Sequence, residues 1–179
     1  EGNKITVSGG ETVIEMEAKV EGGKAIVENI ELPELDAVVG GSGDAPATTV
    51  TIDFSNLESD APITKVELPA EAIKKIAEAI SKPANPENPG NETKSLEIVL
   101  SNGAAIEFDA AALSEKISQT EAADITVSIE KHEDVQLTDA QKQSLGNRPA
   151  FDINVTSGGK NISDMGSKIS IHAPYELKS

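Results

Sequence analysis

The 179-residue chain has no Cys and no Trp, and one Tyr and three Phe are its entire aromatic content. Without cysteine there is no disulfide framework, no thiolate to ligate zinc and no thiol nucleophile. Four aromatics are too few for the stacking platforms on which single-stranded nucleic acids and most sugars rest. Positive charge is also scarce: 15 Lys and Arg face 31 Asp and Glu, a formal net charge of −16 at pH 7. Arg148 is the one arginine. Repulsion from phosphate excludes nucleic acid and anionic membrane as partners, and bidentate guanidinium clamping of phosphate or carboxylate is nearly lost. No apolar run approaches the roughly 20 residues that a spanning helix needs, so no membrane insertion is expected. Glu1 is followed by neither a basic nor an apolar leader, so the segment is expected to be an excerpt of a longer protein or a mature form.

What is present is aliphatic. Hydrophobic residues make up 37 % of the chain, and a chain of this length buries roughly 70 % of its unfolded surface without staples. Three stretches share a pattern of strand, turn, strand and short helix. The first runs from Glu15 through Gly22-Gly23 to Ala25–Ile30 and a helix over residues 31–39. The second runs from Thr49–Phe54 through a polar turn to Ile63–Val66 and a helix over residues 67–80. The third runs from Leu96–Leu100 through Asn102-Gly103 to Ala104–Ile106 and a helix over residues 107–117.

Local chemistry supports the pattern. Asn102-Gly103 tolerates the positive φ of a two-residue hairpin, and Pro33 and Pro69 suit a first helical turn, where no amide donor is needed. Ile73, Ile76, Ala77 and Ile80 recur at helical spacing and make one apolar stripe. Val50, Ile52 and Phe54 alternate with Thr51 and Asp53, and Leu96, Ile98 and Leu100 with Glu97 and Ser101, so each strand has one wet face; antiparallel pairing is expected. Further on, Ile125, Val127 and Ile129 alternate, Thr138 to Gln141 reads as a capping box for a short helix closed by Gly146, and Phe151, Ile153 and Val155, then Ile169 and Ile171, mark the last strands. The expected fold is α+β and mostly β, with antiparallel hairpins, about four short helices and a repeated hairpin-helix unit. Residues 1–45 form an N-terminal hairpin-helix segment and 46–179 a second module, or the two form one continuous unit.

The stretch from Leu137 to Gly166 carries Arg148-Pro149, Phe151-Asp152, Ser157-Gly158-Gly159-Lys160 and Ile162-Ser163-Asp164, and Pro174-Tyr175 follows. It resembles a module of Firmicutes cell-surface proteins, in which a short helix and an Arg-Pro-x-Tyr/Phe-Asp strand lead into a Thr-Ser-Gly-Gly-Lys-x-Ile-Ser-Asp-Phe-Gly turn and an Ile-Pro-Tyr strand. Met165 stands at the family's Phe and Ala173 at its Ile. The Leu68-Pro69-Ala70 helix start is also similar, and the resemblance spans roughly residues 48–175. It implies an exported, wall-attached setting, with attachment to the cell wall through segments outside this chain, and it assigns no catalytic residue.

No motif of catalysis appears: there is no Gly-x-Ser-x-Gly elbow, His-Glu-x-x-His pair or phosphate loop, so no enzyme, cofactor or dedicated metal site is expected. By strand parity His132 and His172 point to water, whereas a working base needs a shielded, oriented setting. His132-Glu133-Asp134, with Asp124 or Asp139 near, is the one grouping suited to an adventitious calcium ion, but it lacks the Asp-x-Asp-x-Asp-Gly loop of a dedicated site. The remaining readings are a binding module for a protein ligand, such as an immunoglobulin or another host extracellular protein, and a structural spacer with no ligand. For the first, the exposed candidates are the polar strand residues Thr126, Ser128 and Glu130 and the turn at Lys160.

Overall fold

The computed structural model describes residues 3–8, 11–28, 30, 48–81, 94–120, 124–131, 137–145, 150–162 and 167–174. These form twelve strands and three helices. In chain order the strands before the first helix are β1 (Lys4–Ser8), β2 (Glu11–Glu15), β3 (Lys19–Glu21), β4 (Lys24–Ile26), β5 (Thr49–Asp53) and β6 (Lys65–Pro69). Then come α1 (Ala70–Ser81), β7 (Ser95–Val99), β8 (Ala105–Asp109), α2 (Ala110–Ser118) and β9 (Asp124–Lys131). The last elements are α3 (Asp139–Leu145), β10 (Phe151–Ser157), β11 (Lys160–Asn161) and β12 (Ile169–His172).

The strands build two six-stranded sheets, β1-β2-β5-β7-β8-β12 and β3-β4-β6-β9-β10-β11. Each reads in strictly ascending chain order from one edge to the other. Sheet-to-sheet crossing replaces the expected hairpin in one of the three repeats, the second. In the first, β2 lies in one sheet and the Gly22-Gly23 hairpin β3–β4 in the other; both glycines adopt positive φ, 56° and 79°. In the second, β5 and β6 belong to different sheets. The third, like the first, holds a hairpin within one sheet, β7–β8. The second stretch therefore departs from the expected hairpin-helix unit, and the helix of the first lies outside the described residues.

The crossings also correct the expected antiparallel pairing. Because the chain visits the other sheet between β2, β5 and β7, these three run parallel, as do β4 and β6; the other pairs are antiparallel. A strand packed on one side and wet on the other shows the same alternation in either sense, so the pattern did not distinguish them.

One apolar core joins the two sheets and the two long helices, while α3 buries no residue. Ile14, Val50, Ile52, Phe54, Leu96, Ile98, Ile106 and Phe108 enter it from the first sheet, and Ala25, Val66, Leu68, Ile125, Val127 and Ile129 from the second. The stripe of α1 (Ile73, Ile76, Ala77 and Ile80) is buried as its spacing predicts, with Leu113 and Ile117 of α2 in the same cluster. The two helices pack on each other, and α1 rests on β6, β7 and β9. Strands from both sides of residue 45 share both sheets, through β2–β5 and β4–β6.

Both long helices begin later than expected. Pro69 closes β6, and Glu107 to Asp109 complete β8, because Leu68 and Phe108 continue the inward alternation of their strands. Asp109 then caps α2, its carboxylate accepting from the Ala112 N–H at 2.9 Å. The capping box of α3 forms as read: Gln141 Oε1 accepts from the Thr138 N–H at 2.8 Å, and Thr138 Oγ1 accepts from the Gln141 N–H at 3.3 Å. Of the four expected helices three are seen; the one over residues 31–39 lies outside the described residues, as do Pro33 and Gly146. The β7–β8 loop is Ser101-Asn102-Gly103, three residues rather than two. Leu100 donates to Ala104 O at 2.8 Å, and Gly103, with φ 80°, supplies the left-handed residue that such a loop requires.

Candidate functional site

The outward faces of the two sheets differ in charge. On the first sheet, cross-strand pairing sets Glu11, Thr49, Ser95 and Asp109 in one row. Val13, Thr51, Glu97, Glu107 and Ser170 form the next. Lys4, Glu15 and Asp53 begin a third, with Lys4 paired to Glu15 at 2.8 Å. Six carboxylates share this face. Thr51, only 4 % exposed, lies between two of them, its hydroxyl 3.4 Å from Glu11 Oε1 and 3.2 Å from Glu97 Oε2. Glu97 and Glu107 stand directly opposite each other on antiparallel strands, a like-charge pair that costs stability. A shallow groove of about 440 Å³ opens here, lined by Ser95, Glu107, Phe108, Asp109, Lys168 and Ser170.

The outward face of the second sheet is mixed. Lys24, Lys65, Ser128 and Asn154 form one row, and Ile26, Glu67, Thr126 and Thr156 the next, with Glu130 beside Asp152. Lys24 and Glu67 are ion-paired across the rows. At the β3 edge, the exposed Lys19 and Glu21 pair at 2.6 Å. Hydrogen bonding to Glu21, then its charge, raises the Lys19 ammonium above the ordinary lysine value; the same bond and the charge of Lys19 lower the Glu21 carboxyl below the ordinary carboxylate value. A second, larger groove of about 570 Å³ lies near the β3–β4 turn, lined by Val20, Gly22, Gly23, Glu58, Ser59, Asp60 and Ala61.

Of the residues expected to form a contact surface, Thr126, Ser128 and Glu130 do share the outward face of β9. Only Glu130 is fully exposed there. Thr126 is half-buried, and Ser128, at 7 % exposure, is buried between Lys65 and Asn154, which correct its expected openness: β9 is an interior strand with a neighbour on each side. Lys160 is exposed but stands apart. It pairs with Ser157, whose side chain turns inward, is 1 % exposed and meets the Thr120 hydroxyl at 2.8 Å. His172 is exposed at the end of β12; His132, Glu133 and Asp134 lie outside the described residues. Among the described residues no three His, Asp or Glu side chains are placed to hold a metal ion. The acidic face was not anticipated. Its signal, Asp and Glu at alternate positions of β2, β5, β7 and β8, is present in the sequence, but the order in which those strands line up is not.

No family model, no curated protein and no solved structure matches this chain.

Proposed function

We propose that this chain is a noncatalytic extracellular module of a Gram-positive cell-surface protein that binds a protein ligand, such as an immunoglobulin or another host protein. The observation that carries the reading is the edge of β10, most of which is unpaired among the described residues. Among the described residues β11 reaches only Thr156 and Ser157 of this seven-residue strand, and Ile162 donates to Val155 O at 2.9 Å on that side. Alternation along the strand therefore turns the Ile153 N–H toward the same side, where no described residue pairs with it, and the Ile153 side chain is 37 % exposed. An extended segment of another protein adds to such an edge through main-chain hydrogen bonds, with alternate side chains choosing the partner. The Firmicutes-like motif between Arg148 and Tyr175 supports the surface setting, as does an acidic charge that keeps crowded proteins apart.

The test is capture from serum by the immobilised chain, compared with Ile153→Pro, which deletes the outward donor and leaves the β9–β10 ladder intact, and with Glu130→Lys on the neighbouring face. Retention of a serum protein that Ile153→Pro abolishes supports edge binding. Failure to retain any protein, or retention unchanged by both substitutions, overturns it. A spacer without a ligand is the second reading, favoured by the ascending strand order, which carries the chain from one edge of each sheet to the other. It predicts no capture at all and an elongated particle in solution scattering.

A further inference from the structure

We infer that Asn102 is a site of fold-gated deamidation, a covalent change that native hydrogen bonding suppresses and that opening of the β7–β8 turn releases. Asn102-Gly103 is the one Asn-Gly step in the chain. Because Gly103 has no Cβ, its backbone nitrogen approaches the side-chain carbon Cγ of Asn102 with little steric opposition. In the reaction that nitrogen gives its proton to solvent base and forms a bond to Cγ. The Cγ–Nδ2 bond breaks, ammonia leaves, and a succinimide ring remains. Water then adds to one of the two ring carbonyls and opens it, giving aspartate or, when the main-chain carbonyl is attacked, isoaspartate. Water is the only co-reactant, and nothing is oxidised or reduced.

Three hydrogen bonds oppose this sequence in the folded chain. The leaving nitrogen, Asn102 Nδ2, donates to Ile129 O at 3.2 Å. The carbonyl oxygen Oδ1 accepts from the Ala104 N–H at 3.0 Å. The attacking nitrogen is itself engaged, with the Gly103 N–H donating to Leu100 O at 3.1 Å. The side chain is thus held at both ends, and cyclisation has to wait for a local opening that breaks its bonds.

The consequence of reaction is also local and specific. Asn102 belongs to a turn of the first sheet, whereas Ile129 belongs to β9 of the second, so the Nδ2 bond ties one sheet to the other. Conversion to an acid puts an oxygen where the donor was, against the Ile129 carbonyl oxygen, and the isoaspartate form also lengthens the main chain within the loop. A module that has been opened once by heat, denaturant or pulling acquires a permanent weakness at this joint, while one that has stayed folded does not.

The experiment follows the intact chain at mildly alkaline pH, native and in urea, beside a synthetic peptide spanning Glu97–Glu107. Mass spectrometry reads the conversion of amide to acid at Asn102. The native rate is expected to be about thirty-fold below that of the peptide, equivalent to about 2 kcal/mol at about 1.4 kcal/mol per factor of ten, and the urea-unfolded chain should match the peptide. Equal native and unfolded rates overturn the gating. Asn102→Asp keeps the acceptor for the Ala104 N–H but loses the donor to Ile129 O, and it is expected to lower the melting temperature and to speed hydrogen exchange at the Gly103 amide. A wild-type melt with unchanged exchange overturns the role of this amide as a joint between the sheets.

Discussion

Phe54→Ala tests whether one core serves both sheets. Phe54 lies just past β5 with no exposed surface, and it belongs to a cluster that draws on both sheets and both long helices. Its main chain is held independently of the ring: the N–H donates to Val99 O at 2.9 Å, and the carbonyl accepts from the Leu57 N–H at 3.3 Å. Alanine keeps those bonds, so the loss isolates the side chain. Truncating a fully buried phenylalanine costs about 3–5 kcal/mol, transfer and cavity together. In a chain of this size each kcal/mol shifts the melting temperature by about 2–4 °C, so a loss of about 4 kcal/mol lowers it by about 8–16 °C. The internal control is Phe151→Ala: that ring is half-buried on β10, near the edge of the second sheet, and its removal gives up only part of one side chain's transfer energy, about 1 kcal/mol. Far-ultraviolet circular dichroism follows both melts, and it suits a chain without tryptophan. If Phe54→Ala costs no more than Phe151→Ala, the two sheets do not share a tightly packed interior at this point and the assignment of the core fails.

Three other outcomes follow from the same geometry. Glu107→Gln removes one of two like charges facing each other on β7 and β8 and should raise stability by about 0.2–1 kcal/mol, most clearly at low salt; a urea midpoint that stays level or falls contradicts it. Asp109→Ala deletes the cap of α2 and should cost about 1 kcal/mol, visible as earlier loss of helical signal on heating; an unchanged melt shows that the cap contributes nothing. The Lys19–Glu21 pair sets a pH response with two limbs. The lowered Glu21 carboxyl contributes stability above the ordinary carboxylate range that is lost as pH falls through its folded value, and the raised Lys19 ammonium contributes stability below the ordinary lysine value that is lost as pH rises through its own. In Lys19→Met the titration midpoint of Glu21, followed by NMR, should return upward; a midpoint that does not move removes the pairing.

Much of the local structure was legible because local physics determines it. The stripe of α1, the capping box of α3, the glycine turn between β3 and β4 and the inward alternation of β5, β7 and β9 all follow from spacing and side-chain type. Where the chain goes next was not legible. Nothing near Phe54 says that the following strand leaves for the other sheet, and nothing in Glu97 or Glu107 says that they will face each other. Those facts depend on which strands become neighbours, a property of residues far apart in sequence. Edge position was hidden for the same reason. Ile153 and Ile171 carry the same alternation as Ile129 and Ile106, their direct partners, yet they end 37 % and 43 % exposed because they sit near the margins of the sheets. The error at Ser128 is the mirror image: a polar residue placed on the outward face is covered because its strand lies between two others.

The ascending order of strands in both sheets bears on how the molecule comes into being. β5 pairs with β2, β6 with β4, β7 with β5, β8 with β7, β9 with β6, β10 with β9 and β12 with β8. Apart from β1 and β3, which start the two sheets, every strand therefore meets a partner that precedes it in the chain, and none has to be inserted between two strands already joined. A polypeptide emerging amino-terminus first from a ribosome or a translocation pore can add its strands in the order in which they appear. Each sheet grows at one advancing edge, while the loop-closure entropy of its parallel crossovers is met one step at a time.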